Sequence, residues 1–224
     1  VVTKLKNMSV IALCLLVVAC GESSPDEDTA TVTLSGTAMK GVISQGIAQA
    51  YRIEEVEGKL QAQRAVGGAT RTNDRGQFEL RIPTTEDTSS LMIEVSSDTQ
   101  TEMTCDDLSG CDTSDNSDRV AFGARFRLGT EFVLKAVLPQ LDTGSRQRIS
   151  VTPLSHLVVA RAEGSSAGLT KTNIATREAY IEEVMGLEEG DLQLEPADIT
   201  RLDEYDTISK GRLTLSLLLS LIHI

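Results

Sequence analysis

The sequence has no tryptophan, and aromatic residues make up only 3% of its 224 positions. Platforms that stack nucleotide bases or sugars are built from such rings, so none is expected. Positive charge is also scarce: 21 lysines and arginines face 33 acidic residues, for a net charge of −12. A surface of that sign repels phosphate backbones and anionic headgroups, which argues against nucleic-acid binding and against docking through a basic patch. Only two histidines occur, His156 and His223. No glycine-rich phosphate loop, Walker pattern or pair of catalytic carboxylates stands out, so the reading expects no enzyme and no resident cofactor. Long apolar runs are missing too. The one apolar stretch, Met8 to Ala19, rises about 18 Å as a helix, against about 30 Å of bilayer hydrocarbon.

That stretch has another use. Lys4 and Lys6 precede it, small residues close it, and Cys20-Gly21 follows, the three-part order of an export signal. Its end, Leu16-Val17-Val18-Ala19-Cys20, resembles the bacterial lipobox. The resemblance implies that residues 1–19 are removed and that Cys20 is acylated on its sulfur and its new amino group. Two or three acyl chains hold a protein on a bilayer where one holds it only marginally. Gly21 to Thr29 contains no large apolar residue, so residues 20–30 read as a flexible tether. By similarity to enterobacterial sorting, Gly21 after the cysteine points to the outer membrane of a bacterial cell envelope. Val1 reads as a GTG start or a start placed early.

Of four cysteines, Cys14 falls in the discarded segment and Cys20 carries lipid, leaving Cys105 and Cys111. In an oxidising compartment an even pair reads as a disulfide. The other reading, a redox or zinc pair, lacks the second pair or nearby histidine that zinc requires.

Downstream of the tether, Val32, Leu34 and Gly36 alternate as one strand face, and Ile47, Gln49 and Tyr51 lie along a second run. Thr72-Asn73-Asp74-Arg75-Gly76 reads as a turn with Gly76 at positive φ. Phe78, Leu80 and Ile82 then alternate inward until Pro83, and Leu91, Ile93 and Val95 repeat the pattern. The Thr72…Asp74…Gly76…Phe78 element resembles the carboxypeptidase regulatory-like domain, a transthyretin-like seven-stranded sandwich. Met103-Thr104-Cys105 through Cys111, Phe122-Gly123 and Phe132 to Pro139 are similar to a group of uncharacterised bacterial lipoproteins. In that group such a sandwich precedes a Thr-Pro-Leu helix, here Thr152-Pro153-Leu154. The resemblance spans roughly residues 31–215 and implies architecture without an established activity.

The expected fold is therefore mainly β: an antiparallel transthyretin- or Ig-like sandwich over 31–140, then a helical module over 151–224. Thr152 is read as an N-cap with Pro153 at the first helical position and Gly164 as the stop. Leu154, Leu157, Val158 and Arg161 are placed on its inner side. A second helix is read from an Asn173 cap to Met185, with Ile174, Ile181, Val184 and Met185 inward and Gly186 as its stop. A third is placed from about Asp206. Ser220-Leu221-Ile222-His223-Ile224 looks like translated adapter sequence, so the helical module is expected to continue beyond residue 224.

Chemistry-bearing groups are few. Ser155 and His156 are adjacent, about 100° apart on a helix, and do not face each other as a relay requires. Asp106, Asp107, Asp112, Asp115 and Asp118 crowd one loop with Ser114, Asn116 and Ser117. Hard oxygen donors in a loop suit Ca²⁺, although the EF-hand order is missing; the competing reading is a solvated acidic loop. Glu182-Glu183 and Glu188-Glu189 are read as solvated helix charges. The expectation is a membrane-anchored envelope lipoprotein with a non-catalytic structural or protein-interaction sandwich. Its partner is an unidentified envelope or extracellular protein or glycan. The alternatives are a module binding glycan, peptide or Ca²⁺, or the accessory part of a larger enzyme.

Overall fold

The structure is a computed structural model that describes residues 31–83, 90–113, 119–142 and 145–222. Cys20, Asp115 and Asp118 lie outside the described residues. In chain order the strands are β1 (Thr31–Ala38), β2 (Ile43–Ser44), β3 (Ile47–Val56), β4 (Lys59–Arg71), β5 (Gln77–Pro83) and β6 (Leu91–Ser96). They continue with β7 (Glu102–Thr104), β8 (Cys111–Asp112), β9 (Arg119–Val120), β10 (Arg125–Arg127), β11 (Val133–Leu138) and β12 (Gln147–Val151). Helices α1 (Pro153–Glu163), α2 (Lys171–Met185) and α3 (Lys210–Ser220) follow, with 3-10 turns at Asp191–Gln193 and Ile199–Glu204 before α3.

Two sheets face each other. One has the order β12-β1-β5 and the other β11-β6-β3-β4. Phe78, Leu80 and Ile82 enter the space between them from alternate positions of β5, as their spacing predicts. Leu34 lies opposite Leu80, and Gly36 opposite Phe78. A Cβ at Gly36 would sit 2.2 Å from the Phe78 ring, so the ring fills the room that the glycine leaves. Leu34, Ile93 and Val95 are completely buried in this core, each contributing about 1.5–3 kcal/mol by leaving water. The sheets are antiparallel except at β12, which runs parallel to β1. The sandwich therefore reaches Val151 and not residue 140, because the last strand before the helices closes its edge.

A second core lies on the outer face of the four-stranded sheet. There Ile53 and Met92 meet Leu154, Val158, Leu169, Ile174, Ile181, Leu215 and Leu219 from the helical segments. β6 is thus buried on both faces, and Met92 joins Leu91, Ile93 and Val95 out of solvent. In β3 the sandwich core takes Ala48 and Ala50, while Tyr51 and Ile53 turn toward the helices. The result is three layers: sheet, sheet, helices.

The α1 cap is as expected and does more. Thr152 Oγ1 accepts from Ser155 N at 3.1 Å, and Ser155 Oγ accepts from Thr152 N at 2.8 Å. The same Ser155 hydroxyl donates to Lys135 O at 2.8 Å, which ties the helix start to β11. The inner face differs from the expected one. Val159 and Ala162 are buried beside Leu154 and Val158, while Leu157 is 37% exposed and Arg161 lies outside. The α2 cap is Thr170, whose hydroxyl accepts from Asn173 N. Asn173 is instead buried one turn in, donating to Gly168 O at 2.6 Å and Ser165 Oγ at 2.8 Å. Gly186 ends α2 in the left-handed region, φ 68°, as anticipated. Val184 is exposed rather than inward. Glu182 is buried, not solvated: its Oε1 accepts from Gly190 N and Leu192 N and fixes the following 3-10 turn. No described helix is long and apolar enough to cross a membrane.

Candidate functional site

The acidic loop is the first place to look. Its described carboxylates point to separate partners. Asp106 is 4% exposed and takes Lys40 Nζ at 2.7 Å, Lys40 being equally buried. Burial raises the Asp106 carboxyl pKa, and the Lys40 ammonium opposes that rise. Asp107 Oδ1 accepts from Ser109 N at 2.7 Å and from Ser109 Oγ at 2.8 Å, closing a turn. Asp112 faces Arg119 across the antiparallel β8–β9 pair at 3.3 Å. Among the described residues no three His, Cys, Asp or Glu side chains gather as a metal site. Cys105 and Cys111 form the expected disulfide, with Cα atoms 5.7 Å apart. The turn at Asn73 is equally structural. Asn73 Oδ1 accepts from Arg75 N and Gln77 N, and buried Thr72 Oγ1 donates to Ile43 O and accepts from Gly46 N.

His156 sits where α1 crosses the four-stranded sheet. Its Nδ1 is buried, with no hydrogen-bond partner among the described residues. Burial, aided by nearby Lys135, lowers its pKa; Glu163 and Glu94 pull the other way. Ser155 is committed to the helix cap, so no nucleophile–base pair forms.

A sizeable cavity lies elsewhere. About 700 Å³ of groove opens over the outer face of β1, β5 and β12, walled on its far side by Gln193, Leu194 and Glu195. Its floor is polar because outward positions of a half-buried sheet are polar: Ser35, Thr37, Gln77, Glu79 and Arg148. Four guanidiniums line it, from Arg71, Arg146, Arg148 and Arg212. The wall is stitched down by hydrogen bonds: Ser150 Oγ donates to Leu194 O at 2.9 Å, Thr37 Oγ1 to Glu195 Oε1 at 3.1 Å, and Arg212 Nε to Glu195 O at 2.7 Å.

The four arginines differ in what holds them. Arg71 is bound by Asp98, Nη2 to Oδ2 at 2.5 Å, and that contact holds the Asp98 carboxyl well below the usual carboxylate range. Arg148 reaches Glu195 only at 3.5 Å. Arg212 stacks over the Tyr205 ring, 5.5 Å from its centroid. Neither Arg212 nor Arg146 has a carboxylate partner among the described residues. The groove thus gathers four guanidiniums against two lining carboxylates, Glu79 and Glu195, on a strongly acidic chain. Sequence reading missed it because these arginines come from distant stretches that only the folded sheet and the C-terminal segment bring together. No family model matches the chain, and neither does any curated protein or solved structure.

Proposed function

We propose that this protein is a lipid-anchored protein of the bacterial cell envelope whose sandwich and helices form a non-catalytic interaction module. The arginine-lined groove is its contact surface. The observation that carries the reading is the gathering of four arginines around one cavity in a chain of net charge −12. A guanidinium cluster recognises carboxylates and similar anions by paired hydrogen bonds and attracts them over distance. The anchor rests on the lipobox resemblance at Leu16 to Cys20, and the short acidic tether would hold the folded part clear of the bilayer.

Two measurements test this. Cells fed an alkyne palmitate analogue should label the wild-type chain and not Cys20→Ala; equal labelling contradicts the anchor. A photo-crosslinking residue at Glu79, in the groove, should give a discrete adduct in living cells, whereas the same residue at exposed Arg64 on β4 should not. Arg146→Glu combined with Arg148→Glu should suppress the Glu79 adduct. No adduct at Glu79, or one that survives the double charge reversal, contradicts the groove as contact surface.

A further inference from the structure

The groove does not end at β12. A smaller recess of about 90 Å³ lies between the edge of β12 and the edge of β11, roofed by α1 and α2. Arg148, Ile149, Ser150 and Gln193 are walls of both spaces. The recess exists because each strand is the end of its own sheet: β12 pairs only with β1, and β11 only with β6. The sheets part there, and helix side chains cover the gap without filling it. Val137, Leu138, Val158, Ile174 and Leu192 make its lining largely apolar. Its one carboxyl group, Glu178, has its pKa raised by burial, which favours the neutral form.

Volume discriminates among ligands. The recess is several times smaller than the groove and largely apolar, a space that suits one aliphatic side chain. The adjoining groove is several times larger, with hydrogen-bonding groups along its floor, so the rest of the ligand is long and polar. Between them stands Arg148 on β12, with Arg146 one residue before the strand begins and lining the groove. Resting on the reading given under Proposed function, we propose that the groove captures the C-terminus of an extended peptide, its carboxylate on Arg146 and Arg148 and its last, aliphatic side chain in the recess. Arg148's contact with Glu195, at 3.5 Å, is longer than a charge-assisted hydrogen bond and leaves room for exchange to a better-placed carboxylate.

The test is fluorescence anisotropy with the lipidated full chain in detergent micelles. The probe is a fluorescein-labelled hexapeptide of alanine and serine ending in valine with a free carboxylate. Binding should saturate and should weaken at least about tenfold when the C-terminus is amidated. Replacing the final valine by glycine should weaken it by about tenfold. In Arg146→Ala/Arg148→Ala, whose two side chains are exposed, the free acid should bind no better than the amide. Ile174→Phe, which fills the recess, should remove the preference for valine over glycine. Equal binding of acid and amide, no binding of either, or displacement by palmitate but not by unlabelled peptide would each overturn the proposal. If those results came while the Glu79 adduct still formed and still required the arginines, the groove reading would stand and only the peptide terminus would fall. Loss of the adduct as well would remove both.

Discussion

Two parts of the molecule exchange roles between sequence and structure. The loop from Asp106 to Asp112 concentrates carboxylates within a few residues and looks like a site. In the fold its described carboxylates serve the framework: Asp106 neutralises buried Lys40, Asp107 closes a turn, Asp112 pairs with Arg119 across β8 and β9, and the Cys105–Cys111 disulfide brackets the first two. Asp115 and Asp118 lie outside the described residues. The groove is the reverse, since Arg71, Arg146, Arg148 and Arg212 are scattered along the chain and meet around one cavity. Proximity in sequence gathers charges that must then be neutralised locally. A binding surface is assembled from separate elements that a rigid scaffold positions.

The sharpest way to break this contrast is at the buried ion pair. Asp106→Ala leaves the Lys40 ammonium without a partner away from water and should lower unfolding stability by about 3–5 kcal/mol in urea denaturation. The double variant Lys40→Met/Asp106→Leu should recover most of that loss, because removing both charges removes the desolvation cost. A change below about 1 kcal/mol in the single variant would return the loop to the solvated or ligand-binding reading. Next in size is the disulfide. Its loop is short, so replacing both cysteines by serine should cost about 2 kcal/mol, read by the same denaturation curves.

A smaller effect belongs to His156. Its pKa is lowered in the folded chain, so the unfolded chain takes up the proton first as pH falls. Stability should therefore rise with pH through the window just below the unperturbed histidine value of about 6.5, and be lost as pH falls. His156→Gln should flatten that slope; an unchanged slope contradicts the assignment. The least effect on stability is expected in the groove. Arg146→Ala and Arg148→Ala should each shift stability by less than about 0.5 kcal/mol while reducing peptide binding. A large destabilisation there would make the arginines framework too.

Much of the fold was legible before the structure. Alternation at Phe78, Leu80 and Ile82 located the sandwich core, the Thr152-Pro153 start and the Gly164 and Gly186 stops placed two helices, and cysteine pairing followed from the two that remained. Failures have a common physical cause. Met92 is buried on the face that alternation assigns to solvent, because a third layer of helices covers that outer face. For the same reason the Ile47, Gln49 and Tyr51 run of β3 shares the face of Ile53, which looks to the helices while Ala48 and Ala50 enter the sandwich. Asn173 and Glu182 look like cap and surface residues, yet both are buried to satisfy backbone groups of neighbouring turns. β12 escaped the sandwich boundary because its pairing with β1 spans more than a hundred residues. The groove depends on that pairing and on the C-terminal segment folded over it, so no local pattern announces it.

Amide hydrogen exchange of the full chain, with and without the valine-terminated peptide, tests most directly whether contact is made at the groove. The account predicts slowed exchange at 147–151 and 193–195 and no change at 105–112. Protection confined to 105–112, or none anywhere, would contradict it.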